Sequence, residues 1–164
     1  MTSSRKLLIF GGMALATLGM LYGLYYAVFV EHQTLDQMGG SLARSFTAAA
    51  SRNLGESRAA LEQYGETKYD YVRQVDAHSH SIGLGMLMIV LGVIFERVSF
   101  GEGIRQFIAF SLLAGSVLFP LAIILQTYNH RALIFKALAV AGSGLVISSL
   151  AATALGFARQ RTLS

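Results

Sequence analysis

The chain has 164 residues, of which 54% are hydrophobic and only 13% charged, with a mean hydropathy of +0.54. That charged fraction is about half of what soluble domains carry, and four long apolar runs leave too little polar chain to cover a soluble core. The net charge of +4 comes with no cysteine at all. Disulfides, thiolate metal sites and covalently attached c-type haem are therefore excluded, and no Lys/Arg-rich run with interleaved aromatics points to nucleic acid.

The apolar runs cover residues 7–30, 78–95, 104–128 and 132–157. A helix needs roughly 20 residues to cross about 30 Å of hydrocarbon, and a lone open sheet cannot span lipid. The predicted fold is all-α: one domain over 1–164, an integral membrane four-helix bundle in the lipid bilayer, with a helical external segment at 31–77. The first run follows Arg5 and Lys6 as a signal peptide would. It is long, and no small-x-small site follows it, so it reads as an uncleaved membrane helix. Gly19 and Gly23 form a small-xxx-small pair suited to close helix approach. Tyr22, Tyr25 and Tyr26 read as an interfacial aromatic belt.

The 31–77 segment opens with Glu31 and His32, and a break is predicted at Gly39–Gly40. A short helix is predicted over 41–52, with Leu42, Phe46 and Ala49 on one stripe. From Glu56 onward, Leu61, Tyr64, Gly65, Lys68, Val72 and Val75 follow a helical period. No proline intervenes, so this helix is expected to run on into the second span, forming a hairpin or cap over the external face. Gly101 and Gly103 mark the next turn. Pro120 should kink the third span and free a carbonyl near Ser116. The fourth span is rich in Gly, Ala and Ser, as tight packing against partner helices requires.

Charge orients the bundle. Arg5, Lys6, Arg97, Arg105, Arg159 and Arg161 flank one side, with only Glu96 and Glu102 as acids; the 31–77 segment holds seven of the nine acids. Both termini are expected in the cytoplasm and 31–77 outside, as a multi-pass protein of a bacterial inner membrane.

All four histidines then fall at the external face: His32 after the first span, His78 and His80 at the start of the second, and His130 after the third. Imidazole is the commonest protein ligand for haem iron and copper. A b-type haem needs one or two imidazoles at one depth across a bundle, which nominates His80 with His130 as metal ligands and His78 or His32 as alternates. Residues two apart on a helix point about 200° apart, so His78 and His80 cannot both face one metal. Arg131 and Lys136 suit haem propionates, with Arg73 as a further candidate. Copper, with Met38 as a soft ligand, is the weaker alternative, and interfacial histidines with no cofactor are another. The string Asp76-Ala77-His78-Ser79-His80 matches the D-x-H-x-H of metal-dependent amidohydrolases, but it precedes a membrane helix rather than following a barrel strand.

The stretch Arg73-Gln74-Val75-Asp76-Ala77-His78-Ser79-His80, followed by Ile82-Gly83-Leu84-Gly85, resembles the start of helix two in nitric oxide reductase and haem–copper oxidase catalytic subunits. There an R-x-V-H string carries a haem-ligating histidine. Here Asp76 takes that ligand's place, the histidines come two and four residues later, and the later helices lack that family's metal-site histidines. The resemblance implies a haem site at this helix end and does not imply oxidase activity. The sequence thus yields two functional expectations. One is a haem b-binding electron-transfer subunit of a respiratory or photosynthetic complex, with quinone as a further candidate ligand. The other is a cofactor-free accessory subunit packing on other membrane subunits.

Overall fold

A computed structural model describes residues 2–130 and 132–160. Among them are five α-helices, α1 (Ser3–Phe29), α2 (Glu31–Ala50), α3 (Leu54–Ile94), α4 (Glu102–Tyr128) and α5 (Leu133–Gln160), with a 3₁₀ turn at Phe95–Arg97 and no strand. Helices α1, α3, α4 and α5 are each long and apolar enough to cross a membrane, the all-helical design expected of a multi-pass membrane protein. The start of α1, the end of α3, the start of α4 and the end of α5 share one end, called here the terminal end. The other end carries α2 and is called the hairpin end.

Helix α3 has 41 residues. At 1.5 Å per residue it is about 60 Å long, roughly twice the thickness of a hydrocarbon layer. Its apolar half packs along α1. Its polar half continues past the end of α4 and packs along α2. The expected continuous helix into the second span is therefore present. The expected cap is not laid across the bundle: α2 packs chiefly on α3 and extends the α1–α3 pair lengthwise.

The predicted break at Gly39–Gly40 is absent, because α2 runs straight through both glycines. Neither has a positive φ. Two helical glycines cost about 1 kcal/mol each relative to alanine. The hydrogen-bond ladder and the burial of Ser41, Ser45 and Ala48 on α3 offset that cost. The joint between α1 and α2 is only a kink at Val30, where Val30 N–H donates to Tyr26 O at 2.9 Å and Thr34 N–H to Val30 O at 3.1 Å. The real stop comes at Ser51–Asn53. There Arg52 adopts φ 59, Arg52 N–H donates to Ala49 O and Asn53 N–H to Ala48 O, the pattern of a Schellman cap. Asn53 then caps α3, its side chain accepting from Glu56 N–H at 3.2 Å.

In lipid, packing rather than water exclusion drives helix association. Along α1 and α3 the backbones touch at Gly12 and Gly85: a Cβ added at Gly12 would sit 2.6 Å from Gly85 O, and one at Gly85 would sit 2.7 Å from Gly12 O. Gly19 makes room for the Ser81 side chain and Gly92 for that of Ile9. Leu8, Leu15, Met88, Phe95, Ile108 and Leu112 fill the space between α1, α3 and α4. Helix α5 packs chiefly on α4, through the close approach of Gly115 and Gly142. The result is a three-helix core, α1–α3–α4, with α5 outside it on α4. Between α5 and α3, at the hairpin end, a cleft is left open.

Candidate functional site

Residues 69, 73, 76 and 80 of α3 lie three or four apart and share one helical face. They are Tyr69, Arg73, Asp76 and His80, and all four line the cleft. The Arg73 guanidinium lies over the Tyr69 ring at 4.9 Å and 3.8 Å from Asp76 Oδ2. Its Nε is buried without a hydrogen-bond partner. Tyr69 O–H donates to Oε1 of Gln126 at 3.1 Å, and the buried Gln126 returns its own N–H to Ala122 O at 3.3 Å. The His80 ring packs against Phe119 with 4.9 Å between centroids. Phe119 and Ile123 of α4 and Ala139 of α5 form the apolar wall, and Lys136 of α5 closes the rim; the cavity measures about 350 Å³.

A second hollow of about 500 Å³ adjoins it toward the hairpin, lined by Glu62, Gly65, Glu66, Tyr69, His130 and Lys136. Tyr69 and Lys136 border both. The cleft is thus graded. Along α3 the His80 and Phe119 end lies farthest from the hairpin tip, half-buried Arg73 and Asp76 lie between, and the Glu62 and Glu66 carboxylates lie nearest the tip; His80 and Lys136 are exposed. Lys136 has no acidic partner among the described residues. Behind the cleft a polar layer ties the helices together. Gln74 accepts from Tyr22 of α1 and donates to Thr127 of α4 at 3.3 Å, while Tyr71 donates to Glu31 at 3.0 Å.

The structure divides the predicted site residues. His80 and Lys136 both line the first cleft and are exposed. His130 stands at the mouth, with Nε2 2.7 Å from Asp70 Oδ1 and its ring 5.0 Å from that of Tyr69. His78 lies on the opposite side of α3, packed on Gly23, where an added Cβ would sit 3.0 Å from the imidazole; its Nδ1 is 3.2 Å from Gln74 O. His32 is exposed on α2, 3.5 Å from Asp36. Arg131 lies outside the described residues.

His80 and His130 are not brought together. His130 is held by Asp70, ten residues before His80 on the same helix, which corresponds to about 15 Å of rise. The pair as arranged does not offer two imidazoles to one iron. No group of three or more His, Asp or Glu residues converges as a metal site among the described residues. Sequence reasoning missed Tyr69, Asp70, Asp76 and Gln126. The spacing of 69, 73, 76 and 80 was the available signal, overshadowed by the histidines. Comparison with known protein families, with characterised proteins and with solved structures gives no match for this chain.

Proposed function

We propose that this protein is a membrane subunit that binds the ring of a lipid-soluble quinone in the α3–α4–α5 cleft. The observation that carries the reading is the donor set placed against an apolar wall. His80, Lys136 and Arg73 offer N–H groups, and Phe119, Ile123 and Ala139 offer a surface for a flat ring. A quinone carbonyl needs a hydrogen-bond donor, and its isoprenoid tail needs lipid. Ligand sites are commonly apolar clefts with a few convergent polar groups, in cavities of about 300–1,000 Å³. Electron exchange with the ring belongs to a partner subunit, so the chain acts within a larger complex. The charge asymmetry supports a bacterial inner-membrane setting with the hairpin end outside and the termini in the cytoplasm.

The test is direct. Protein purified in mild detergent is extracted with organic solvent, and the extract is analysed for quinone. A short-chain quinone is then titrated calorimetrically against wild type, His80→Leu and Lys136→Leu. Co-purified quinone and a loss of affinity of about tenfold or more in both variants, with unchanged helical content, are expected. Absence of quinone together with no measurable titration overturns the reading.

The Lys136 ammonium, with no acidic partner among the described residues, and the Arg73 guanidinium favour one second reading. A haem b held by His80 alone on this chain would place its propionates at those cations. A Soret band in the purified protein that disappears in His80→Leu selects haem over quinone.

A further inference from the structure

We propose that the uncovered face of the α2–α3 hairpin docks a second copy of this chain, the two hairpins closing a four-helix bundle outside the apolar layer. The hairpin is too thin to stand alone. Its seam consists of Ser41, Ser45 and Ala48 against Ser57 and Ala60, with the Ser45 and Ser57 hydroxyls 3.2 Å apart. In proteins most of a helix's stability comes from packing its apolar face. This seam buries almost none.

An apolar face exists, and it is uncovered. On one side of the seam lie Leu35, Leu42 and Phe46 of α2 and Leu54, Leu61 and Val72 of α3, with the exposed Arg58 and Lys68 interleaved on α3. Phe46 is 68% exposed, Leu54 64% and Leu61 48%. The opposite side is polar, carrying Arg44, which donates to Gln63, and Asp70, through which α4 reaches α3. The uncovered stripe continues toward the terminal end through exposed Met20, Leu24, Met86 and Val90. Lipid satisfies it there. Beyond the apolar layer lipid is absent.

Membrane topology selects the second copy. Two identical chains in one bilayer share an orientation, so their two-fold axis runs along the hairpin. That axis sets α2 of one copy against α3 of the other at the same height. The Ser45–Ser57 and Glu31–Tyr71 contacts fix the heights: Leu42 is level with Leu61, and Gly39 lies within about half a turn of Gly65. At these two levels the facing helices match leucine to leucine and glycine to glycine, and Phe46 comes within about half a turn of Arg58, whose guanidinium can lie on its ring. A Cβ at Gly39 or Gly65 would meet nothing within 4 Å in the single chain; across the two-fold, their absence permits close backbone approach. Twenty residues of two adjacent helices present a face of roughly 30 by 20 Å. That is about 600 Å² per copy, near the ~800 Å² per partner of a stable interface, before the membrane portion is added.

The native chain has no cysteine, which makes cross-linking clean. Two differently tagged copies, Leu42→Cys and Leu61→Cys, are co-expressed and oxidised in native membranes. A linked species carrying both tags, at twice 17.7 kDa, is expected. The pair Arg44→Cys and Gln63→Cys, on the polar side, should give none. Phe46→Glu should weaken dimerisation at least tenfold in lipid nanodiscs with unchanged helical content. Equal linking from the polar pair, or no linking from the apolar pair, overturns the proposal. A wild-type chain that stays monomeric at every protein-to-lipid ratio also overturns it, and assigns the face to the bilayer surface or to a different protein.

Discussion

The Asp70 carboxylate takes the Nε2–H of His130 at 2.7 Å and so anchors the α4–α5 corner to α3 across 60 positions of sequence. Both side chains are about one-third exposed, at 38% and 35%. Solvent screening keeps such a contact modest, at about 0.5–1 kcal/mol. A double-mutant cycle with Asp70→Ala and His130→Ala should return a coupling energy in that range from reversible unfolding in detergent. Zero coupling would leave the corner to the Tyr69–Gln126 and Gln74–Thr127 bonds.

Glycine substitutions separate backbone contact from open surface. Gly85→Leu must push apart two backbones that meet at Gly12, and overpacking of this kind costs about 1–3 kcal/mol or more. Gly144 on α5 has nothing within 4 Å of an added Cβ, so Gly144→Ala should be neutral or stabilising by about 0.5–1 kcal/mol. Unfolding titrations should show a loss of stability in Gly85→Leu and none in Gly144→Ala.

These contrasts show how far the sequence carries. Helix existence and span count were legible because apolar runs of membrane length have few alternatives. The run-on of α3 was legible from its unbroken period between Glu56 and Val75. The glycine pair at 39–40 misled, because helix interruption by glycine is a preference of about 1 kcal/mol that tertiary packing overrides. The site was half legible. His80 and Lys136 carry rare chemistry for a membrane chain and drew notice singly. Their grouping with Tyr69, Asp76 and Gln126 depends on how α4 and α5 dock, which no local pattern encodes. Grouping the histidines by topology alone also merged His78, which faces α1, with His80, which faces α4.

The orientation of the bundle is checked by labelling. Asn53→Cys sits at the hairpin tip, and Gly101→Cys in the short connection at the terminal end. In intact cells a membrane-impermeant maleimide should label the first and leave the second unlabelled until the cells are permeabilised. The reverse pattern would place the candidate quinone cleft at the cytoplasmic face.

The hairpin tip also carries backbone strain that a single change relieves. Arg52 holds φ 59 at the Schellman position, a left-handed conformation that costs a non-glycine residue about 1–2 kcal/mol. Its side chain is exposed. Arg52→Gly should therefore stabilise the hairpin by up to about 1 kcal/mol, net of the extra freedom glycine gains in the unfolded chain. Slower amide exchange over 45–60 would register the gain.

At the terminal end, Glu102 performs the capping that α1 does not provide for itself. Thr2, which precedes α1, makes no side-chain cap, and the first turn of a helix has unpaired N–H groups. Glu102 Oε1 accepts the N–H of Ser4 at 3.1 Å, where Ser4 is 1% exposed. Its other oxygen lies 3.0 Å from Arg105 Nη2. One carboxylate therefore caps α1 from the first turn of α4, where negative charge is also favoured by the helix dipole. Glu102→Ala removes the acceptor and leaves a buried N–H unsatisfied, at about 1–2 kcal/mol. Glu102→Gln keeps an acceptor and should recover part of that loss. Glu96 accepts the exposed N–H of Thr2 at a longer 3.4 Å and pairs with Arg5 at 3.5 Å on the open surface, and Glu96→Ala should have the smaller effect. Amide exchange over residues 3–7 distinguishes these outcomes. Faster exchange in Glu102→Ala than in Glu96→Ala is expected, and equal rates in the two variants would show that the exposed Glu96 contacts hold α1 as firmly as the buried Glu102 cap.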